Sequence, residues 1–195
     1  MGYSILVLEQ LPSDAEELYD NVLEIYNSSR KAKEIIARLS DLSRKNTSLT
    51  FQYVSPDELV RKVLAVASPA RPPHVEVRTD LACRHPWLRG NEIQLSQMLL
   101  NLILNAYHAM EPGGGTLTVA TRPEGEFLCF QVSDTGSGIS PEVLPHIFEP
   151  FFTTKERGKG TGLGLAIVRQ VMEEHKGTIA IDTAPGRGTT MLLRF

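Results

Sequence analysis

Two glycine-rich segments contain the residues of this chain that are best suited to chemistry. DTGSGI covers 134–139, and GKGTGLGLAIV covers 158–168 and opens a predicted helix. A carboxylate can accept a hydrogen bond from an amine, glycines let the backbone pass close to a flat ring, and free N–H groups at a helix start bind phosphate oxygens. The candidate residues are Asp134, Gly136, Gly138, Ile139, Gly160, Thr161, Gly162, Leu163 and Gly164. Together the segments indicate a nucleotide site, although DTGSGI alone favours an ordinary turn.

A helix predicted over 92–110 is apolar over most of its circumference and has one polar stripe. The stripe consists of Gln94, Gln97, Asn101, Asn105 and His108. Because unpaired amides in a core are costly, this stripe either meets water or lines a cavity, and the helix alone does not distinguish these two arrangements. The amide oxygen of Asn105 is a hard neutral ligand of the kind that Mg²⁺ accepts beside phosphates. His108, one turn later, could contact a phosphate, although a lone histidine here is more often structural.

The segment 148–164, FEPFFTTKERGKGTGLG, is predicted to be a mobile loop. Its basic residues Lys155, Arg157 and Lys159 could close over phosphates, and a flexible linker is the alternative. The spacing matches neither GxxxxGK[ST] nor a GxGxxG turn within a βαβ unit, which excludes a P-loop and a Rossmann site. With the helix and DTGSGI, the loop completes an ordered set that predicts an ATP site.

Composition excludes several other classes of function. The 195 residues carry a net charge of −3, so no global field would draw the chain to nucleic acid or to an anionic membrane. Cys83 and Cys129 lie outside any metal-ligand spacing and are expected to be reduced thiols. The apolar runs are too short to span a bilayer and no signal peptide opens the chain, so we expect a cytoplasmic location, with any membrane anchor outside this sequence.

The chain is predicted to have two parts. Residues 1–46 form a helical hairpin whose seam needs a partner, most simply a second copy, and 47–195 form an α+β domain. The alternative is that the hairpin folds back onto the domain. Strand-like runs cover 51–54, 75–79, 116–122, 127–133, 178–182 and 190–195, and helical stretches cover 57–67, 92–110 and 162–175. This order predicts a two-layer α/β sandwich, with a mixed sheet and helices on one face.

Four motifs and a terminal segment, in this order, resemble the catalytic ATP-binding domain of two-component sensor histidine kinases, in the GHKL ATPase superfamily. They are NLILNAYHAM, DTGSGI, IFEPFFTTK, GKGTGLGLAIV and, near the end, GRGTTM. Together they cover about 91–195, and their joint specificity is very high. The resemblance implies a Bergerat-type fold, ATP and Mg²⁺ as ligands, and a response regulator receiver domain as partner.

The resemblance also implies a role for each matching residue. Asn105 would hold Mg²⁺, Asp134 would bind the adenine amine, Phe152 and Lys155 would belong to the lid, and Thr189 would support the adenine side. Gly136, Gly138, Gly162 and Gly164 would shape the pocket. The remaining positions of the implied ATP site are Asn101, His108, Ala109, Ile139, Gly160, Thr161 and Leu163.

The front of the chain resembles the dimerisation hairpin of these kinases, without the segment that would carry the phospho-acceptor histidine. We therefore expect a homodimer in the full protein, no catalytic residue in this chain, and no self-phosphorylation. Where hydrolysing relatives such as gyrase have a glutamate that activates water, this chain has Asn101, which cannot act as a general base. The alternatives are a GHKL serine protein kinase and a non-catalytic ATP-binding signalling module.

Overall fold

The computed structural model describes residues 15, 18–23, 25–26, 50–83, 88–111, 113–155 and 160–195. The chain divides into two compact units, Met1–Thr47 and Ser48–Phe195. Within the first unit, 18–23 and 25–26 are helical, and the Tyr19 N–H donates to the Ala15 carbonyl at 2.9 Å. The rest of the hairpin expected over 1–46 lies outside the described residues, so it stays a prediction.

The second unit alternates strands and helices as its periodicities predict. Its helices are α1 (Pro56–Ala67), α2 (Glu92–Met110) and α3 (Gly164–Glu174). Its strands are β1 (Gln52–Val54), β2 (Val75–Leu81), β3 (Leu88–Gly90), β4 (Gly115–Glu124), β5 (Phe127–Asp134), β6 (Thr178–Ala184) and β7 (Gly188–Arg194). The predicted strands do not include β3, because three residues show no alternation. The predicted run 116–122 also ends too early, since Pro123 and Glu124 continue β4 and the turn follows them.

The main sheet has the strand order β2-β4-β5-β7-β6. β2 and β4 are parallel and the other neighbours are antiparallel, which confirms the predicted mixed sheet. β1 and β3 form a separate antiparallel pair. In the centre, Asp134 at the end of β5 stands opposite Leu117 of β4 and Thr189 of β7, so the first glycine segment leaves the sheet between two paired strands.

The core lies between the helices and the sheet, as an α+β sandwich requires. The apolar face predicted for α2 is buried: Leu95, Met98, Leu99 and Ile103 are fully covered, and Met110 nearly so. The fully buried sheet residues facing them are Leu117, Val119, Phe130 and Leu193. Within the described residues, no helix is both long and apolar enough to cross a membrane.

A buried carboxylate ties α1 to the sheet. Asp57 is 2% exposed, and its Oδ1 accepts hydrogen bonds from the Thr121 hydroxyl on β4 at 2.5 Å and from the Cys83 N–H at 3.2 Å. Burial also raises the pKa of the Cys83 thiol, which keeps this cysteine protonated and unreactive. The expectation of a reduced, structural thiol thus agrees with its surroundings, and Cys129 is likewise buried and free.

A single histidine joins the start of α2 to the end of α3. His175 Nε2 accepts from the Asn91 N–H at 3.0 Å, and its Nδ1–H donates to the Val171 carbonyl at 2.8 Å. Its ring lies 4.9 Å from that of Phe51 and 5.9 Å from that of Phe195, measured between centroids. Since a backbone N–H only donates, Nε2 must carry a lone pair, and the imidazole is therefore neutral in this arrangement.

We expect His175→Gln to reduce the pH dependence of stability in mildly acidic solution. Burial lowers the pKa of His175 from its ordinary value of 6.5. A lowered histidine pKa means that the unfolded state binds more protons, so the stabilisation is complete above 6.5 and declines as the pH falls towards the folded-state pKa. Glutamine can make both hydrogen bonds without titrating. Thermal unfolding midpoints from neutral pH down to about 5.5 should fall less steeply for this variant than for the wild-type chain; equal slopes would contradict the assignment.

Candidate functional site

Asp134 is the centre of the glycine-rich face of the fold. Its Oδ1 accepts hydrogen bonds from the Gly136 N–H at 2.9 Å and from the Thr189 N–H at 3.3 Å. Burial raises the pKa of this carboxyl, and the two backbone donors oppose that effect. Because Oδ1 takes both internal bonds, the second oxygen is left to accept a hydrogen bond from a ligand.

The glycine loop, residues 135–139, rests on the last turn of α2. The Ser137 N–H donates to the Ala109 carbonyl at 3.1 Å. A Cβ atom on Gly136 would lie 2.6 Å from the same carbonyl oxygen, so only glycine permits this approach. On its other side the loop contacts β6, where the Ile139 N–H donates to Thr183 Oγ1 at 3.0 Å. Gly138 also lies here, against the Ala184 carbonyl.

The start of α3 faces the two asparagines of α2. A Cβ atom on Gly164 would lie 3.6 Å from Asn101 Oδ1 and 3.8 Å from Asn105 Nδ2. The Nδ2 atom of Asn101 is buried and has no hydrogen-bond partner among the described residues. Such an amide is costly unless something satisfies it. The positive end of the α3 dipole and two side-chain amides therefore converge on one small region suited to an anion.

The segment before α3 is closed by a backbone hydrogen bond. The Phe151 N–H donates to the Gly162 carbonyl at 2.9 Å, and both residues have left-handed backbone angles, with φ of 69° and 66°. Leu163 is fully buried behind this closure, and its N–H donates to Thr161 Oγ1 at 3.4 Å. The hydrogen bond between Phe151 and Gly162 fixes the two points at which the loop joins the rest of the domain.

Lys155 lies within that segment, beside Gly160, where a Cβ atom would come within 3.2 Å of its side chain. Partial burial lowers the pKa of its ammonium, and the charge of Glu111 acts in the opposite direction. The Phe152 ring is half-buried and its centroid lies 5.6 Å from that of His146. Arg157 and Lys159, expected to close over phosphates, fall outside the described residues.

The predicted polar stripe of α2 follows α3 along its length. Gln94 donates to Glu174 Oε2 at 2.5 Å at one end, whereas Asn101 and Asn105 face Gly164 at the other. His108 is exposed, and its Nδ1–H donates to the Leu104 carbonyl at 2.6 Å. The structure thus brings Asn101 and Asn105 together with the glycines, and occupies His108 with its own helix.

Thr183 is not among the residues predicted from the sequence. It lies one position before the end of β6, opposite Thr189 of β7, and it holds Ile139. No motif marks it, because a threonine within a short strand is an ordinary residue. Only the pairing of β6 with β7 reveals that it lies behind the glycine loop.

Comparisons with known proteins agree on one family. A family model described as histidine kinase-, DNA gyrase B-, and HSP90-like ATPase matches residues 90–195. Among curated relatives, sensor kinase CckA of Brucella abortus (strain 2308) is 32% identical over 97% of this chain and 21% of its own length. Sensor histidine kinase ZraS of Klebsiella oxytoca is 35% identical over 96% of this chain and 40% of its own.

Solved structures show the same likeness. Full-length ShkA, crystallised in complex with AMPPNP, has a TM-score of 0.75 and 26% identity, and covers 95% of this chain and 39% of its own. The chain thus spans well under half the length of the two curated relatives described.

We expect Gly162→Ala and Gly164→Ala to have opposite effects on stability. A Cβ atom at Gly162 would lie 2.3 Å from the Phe151 carbonyl carbon, and its φ of 66° disfavours any side chain. The variant should lose at least about 1–2 kcal/mol of unfolding free energy. At Gly164 the nearest atom is 3.6 Å away, and alanine is the better helix former, so stability should stay or rise by up to about 1 kcal/mol. Chemical denaturation measures both, and comparable losses would contradict this distinction.

Proposed function

The chain belongs to the histidine kinase-, DNA gyrase B-, and HSP90-like ATPase family, and on that basis we propose that it is the catalytic ATP-binding part of a two-component sensor histidine kinase. One arrangement carries the proposal. Asp134 contacts the loop that rests on one end of α2, and Gly164 faces Asn101 and Asn105 further back along the same helix. From Asn101 to Ala109 the helix rises about 12 Å, which separates a base end from a phosphate end.

At the base end, the free carboxylate oxygen of Asp134 accepts a hydrogen bond from the adenine amine. The surrounding backbone of Gly136, Gly138 and Ile139 lies against the ring, and Ala109 supports the loop from below through the Ser137 N–H. Thr189 is 8% exposed and donates its N–H to the same carboxylate, which supports a role on the adenine side.

At the phosphate end, backbone N–H groups at the start of α3 bind phosphate oxygens, and Lys155 contributes positive charge from the lid that begins near Phe152. The residues assigned to this end are Asn101, Asn105, Gly160, Thr161, Gly162, Leu163 and Gly164. The position of Asn101 and Asn105 beside Gly164, at the start of α3, supports this assignment. His108 is the weakest member, since its exposed ring bonds to Leu104.

We assign Mg²⁺ to Asn105. Mg²⁺ takes one or two protein oxygens and completes its shell with phosphates and water, so a single amide oxygen beside the phosphates is enough to hold it. When bound, the ion neutralises charge on the phosphates. The neutral amide of Asn105 fits such a role because it adds no further negative charge.

The chemistry expected is phosphoryl transfer to an imidazole. A neutral imidazole nitrogen already has a lone pair, so its attack on the γ-phosphate needs no general base, whereas attack by water does. Asn101 is an amide and cannot take a proton from water, which disfavours hydrolysis. The Asn101 position therefore favours a kinase over an ATPase.

We propose that residues 1–46 belong to the dimerisation hairpin of such a kinase and that the full protein is a homodimer. The acceptor histidine lies on a hairpin of this kind, and the receiver domain of a response regulator, a partner protein, takes the phosphoryl group from it. A cytoplasmic location accompanies this proposal. The names of the relatives CckA and ZraS as sensor kinases support it.

We expect Asp134→Asn to weaken ATP binding about 10- to 100-fold, the usual effect of losing a hydrogen bond to a charged group. The raised pKa of Asp134 means that its negative charge costs free energy of folding above the folded-state pKa, so the uncharged asparagine should not reduce stability at neutral pH. Isothermal titration calorimetry measures the affinity, and thermal unfolding measures the stability.

Asp182→Asn is the matched control for this experiment. Asp182 is an exposed carboxylate on β6, and its replacement should leave ATP affinity unchanged. Undiminished binding by Asp134→Asn would exclude Asp134 as the adenine acceptor.

We expect the chain, given ATP labelled on its γ-phosphate and Mg²⁺, to remain unlabelled and to label an added helical hairpin that carries its acceptor histidine. The label should be acid-labile and stable to alkali. Labelling of the chain itself at a histidine would contradict the proposal. Acid-stable label would instead indicate a serine kinase, and tight ATP binding without any transfer would indicate a non-catalytic signalling module.

A further inference from the structure

The β6–β7 hairpin lies directly behind the glycine loop and is bonded to it at two points. The Gly186 N–H in the hairpin turn donates to the Ser137 carbonyl at 2.8 Å, and the Ile139 N–H donates to Thr183 Oγ1 at 3.0 Å. The first bond joins backbone to backbone and does not depend on side-chain type. The second depends on the hydroxyl of Thr183.

The Thr183 hydroxyl has three polar neighbours at hydrogen-bond distance. They are the Ile139 N–H, the Gly188 carbonyl and the Thr189 hydroxyl, each 3.0 Å from Oγ1. A hydroxyl has one proton to donate and two lone pairs to accept. Since the Ile139 N–H can only donate and the Gly188 carbonyl can only accept, satisfying all three contacts requires that the second lone pair of Thr183 accept the proton of Thr189.

This arrangement decides what Thr189 can offer to a ligand. With its proton engaged by Thr183, the Thr189 hydroxyl presents lone pairs only. Asp134, which stands opposite Thr189 in the sheet and accepts its N–H, also presents an acceptor. The 6-position of adenine carries an amine, which can donate hydrogen bonds to these two acceptors. The 6-position of a 6-oxo purine carries a carbonyl, whose lone pairs would face the lone pairs of Asp134 and Thr189.

We propose that Thr183 is a positioning residue that sets the preference of this site for adenine over 6-oxo purines. It holds the glycine loop through Ile139 and directs the Thr189 hydroxyl, and it does not itself touch the nucleotide. The inference rests on the proposed function, because it concerns the nucleotide bound beside Asp134. It goes further by explaining how a residue behind the pocket determines which base is accepted.

The experiment compares ATP with inosine triphosphate, which differs from ATP at the 6-position of the base and at the neighbouring ring nitrogen. Thr183→Val removes the hydroxyl at nearly constant shape, and Thr183→Ser retains it. Thr178→Val makes the same change at an exposed position of the same strand. Affinities of the whole 195-residue chain for both nucleotides, with Mg²⁺, are measured by calorimetry.

We expect Thr183→Val to lower ATP affinity about three- to tenfold, as for the loss of one neutral hydrogen bond. The ratio of the affinity for ATP to the affinity for inosine triphosphate should fall by at least the same factor. Thr183→Ser should restore both values to within about twofold of the wild type, and Thr178→Val should change neither. A purely structural role would lower both affinities together and leave the ratio intact.

If the wild-type chain binds ATP and a folded Thr183→Val variant keeps the wild-type ratio of ATP affinity to inosine triphosphate affinity, this inference is overturned and the proposed function is not. A wild-type chain that binds no ATP would overturn the proposed function and this inference with it. If Thr183→Val does not fold, Thr183→Ala provides the comparison by removing the hydroxyl together with the γ-methyl group. If neither folds, hydrogen exchange of the Ile139 amide in the wild-type chain decides: protection supports the bond to Thr183, and rapid exchange excludes it.

Discussion

The two hydrogen bonds accepted by Asp134 Oδ1 connect three parts of the domain at once. They join the end of β5, the glycine loop through Gly136, and β7 through Thr189. A half-buried carboxylate is unfavourable by itself, as its raised pKa shows, and backbone donors reduce that cost without neutralising the charge. The result is an ionisable group that is held rigidly and still has an oxygen directed away from its internal partners. Every assignment at the base end of the site depends on this arrangement.

The α2 helix relates this base end to the phosphate end. Its last turn supports the glycine loop through Ala109, and its middle faces the start of α3 through Asn101 and Asn105. The two helices run in opposite directions, with the start of α2 bonded to the end of α3 by His175. His175 makes this contact at the opposite end of α3 from Gly164, so the packing of the two helices is anchored outside the site itself.

The polar groups assigned to the phosphate end of the site are side-chain amides, backbone N–H groups, the Thr161 hydroxyl and the ammonium of Lys155, and they suit positioning rather than proton transfer. Phosphoryl transfer requires charge stabilisation and alignment more than a strong base, since its transition state is loose. Under the proposed function, the amide of Asn101 cannot take a proton from water, which disfavours water as the nucleophile and favours an acceptor that brings its own lone pair.

The sequence alone determined the fold class, the helices and nearly all of the strands, because apolar periodicity and glycine placement act locally. Asn101, Asn105, Asp134 and the glycines could be predicted as candidates for the same reason, since their spacing along the chain reflects backbone geometry. Tertiary structure alone decided three other points. It added β3, whose three residues are ordered by pairing with β1, and it turned His108 towards its own helix. It also placed Thr183 behind the glycine loop, a contact across 44 residues that depends on strand register and that no local pattern encodes.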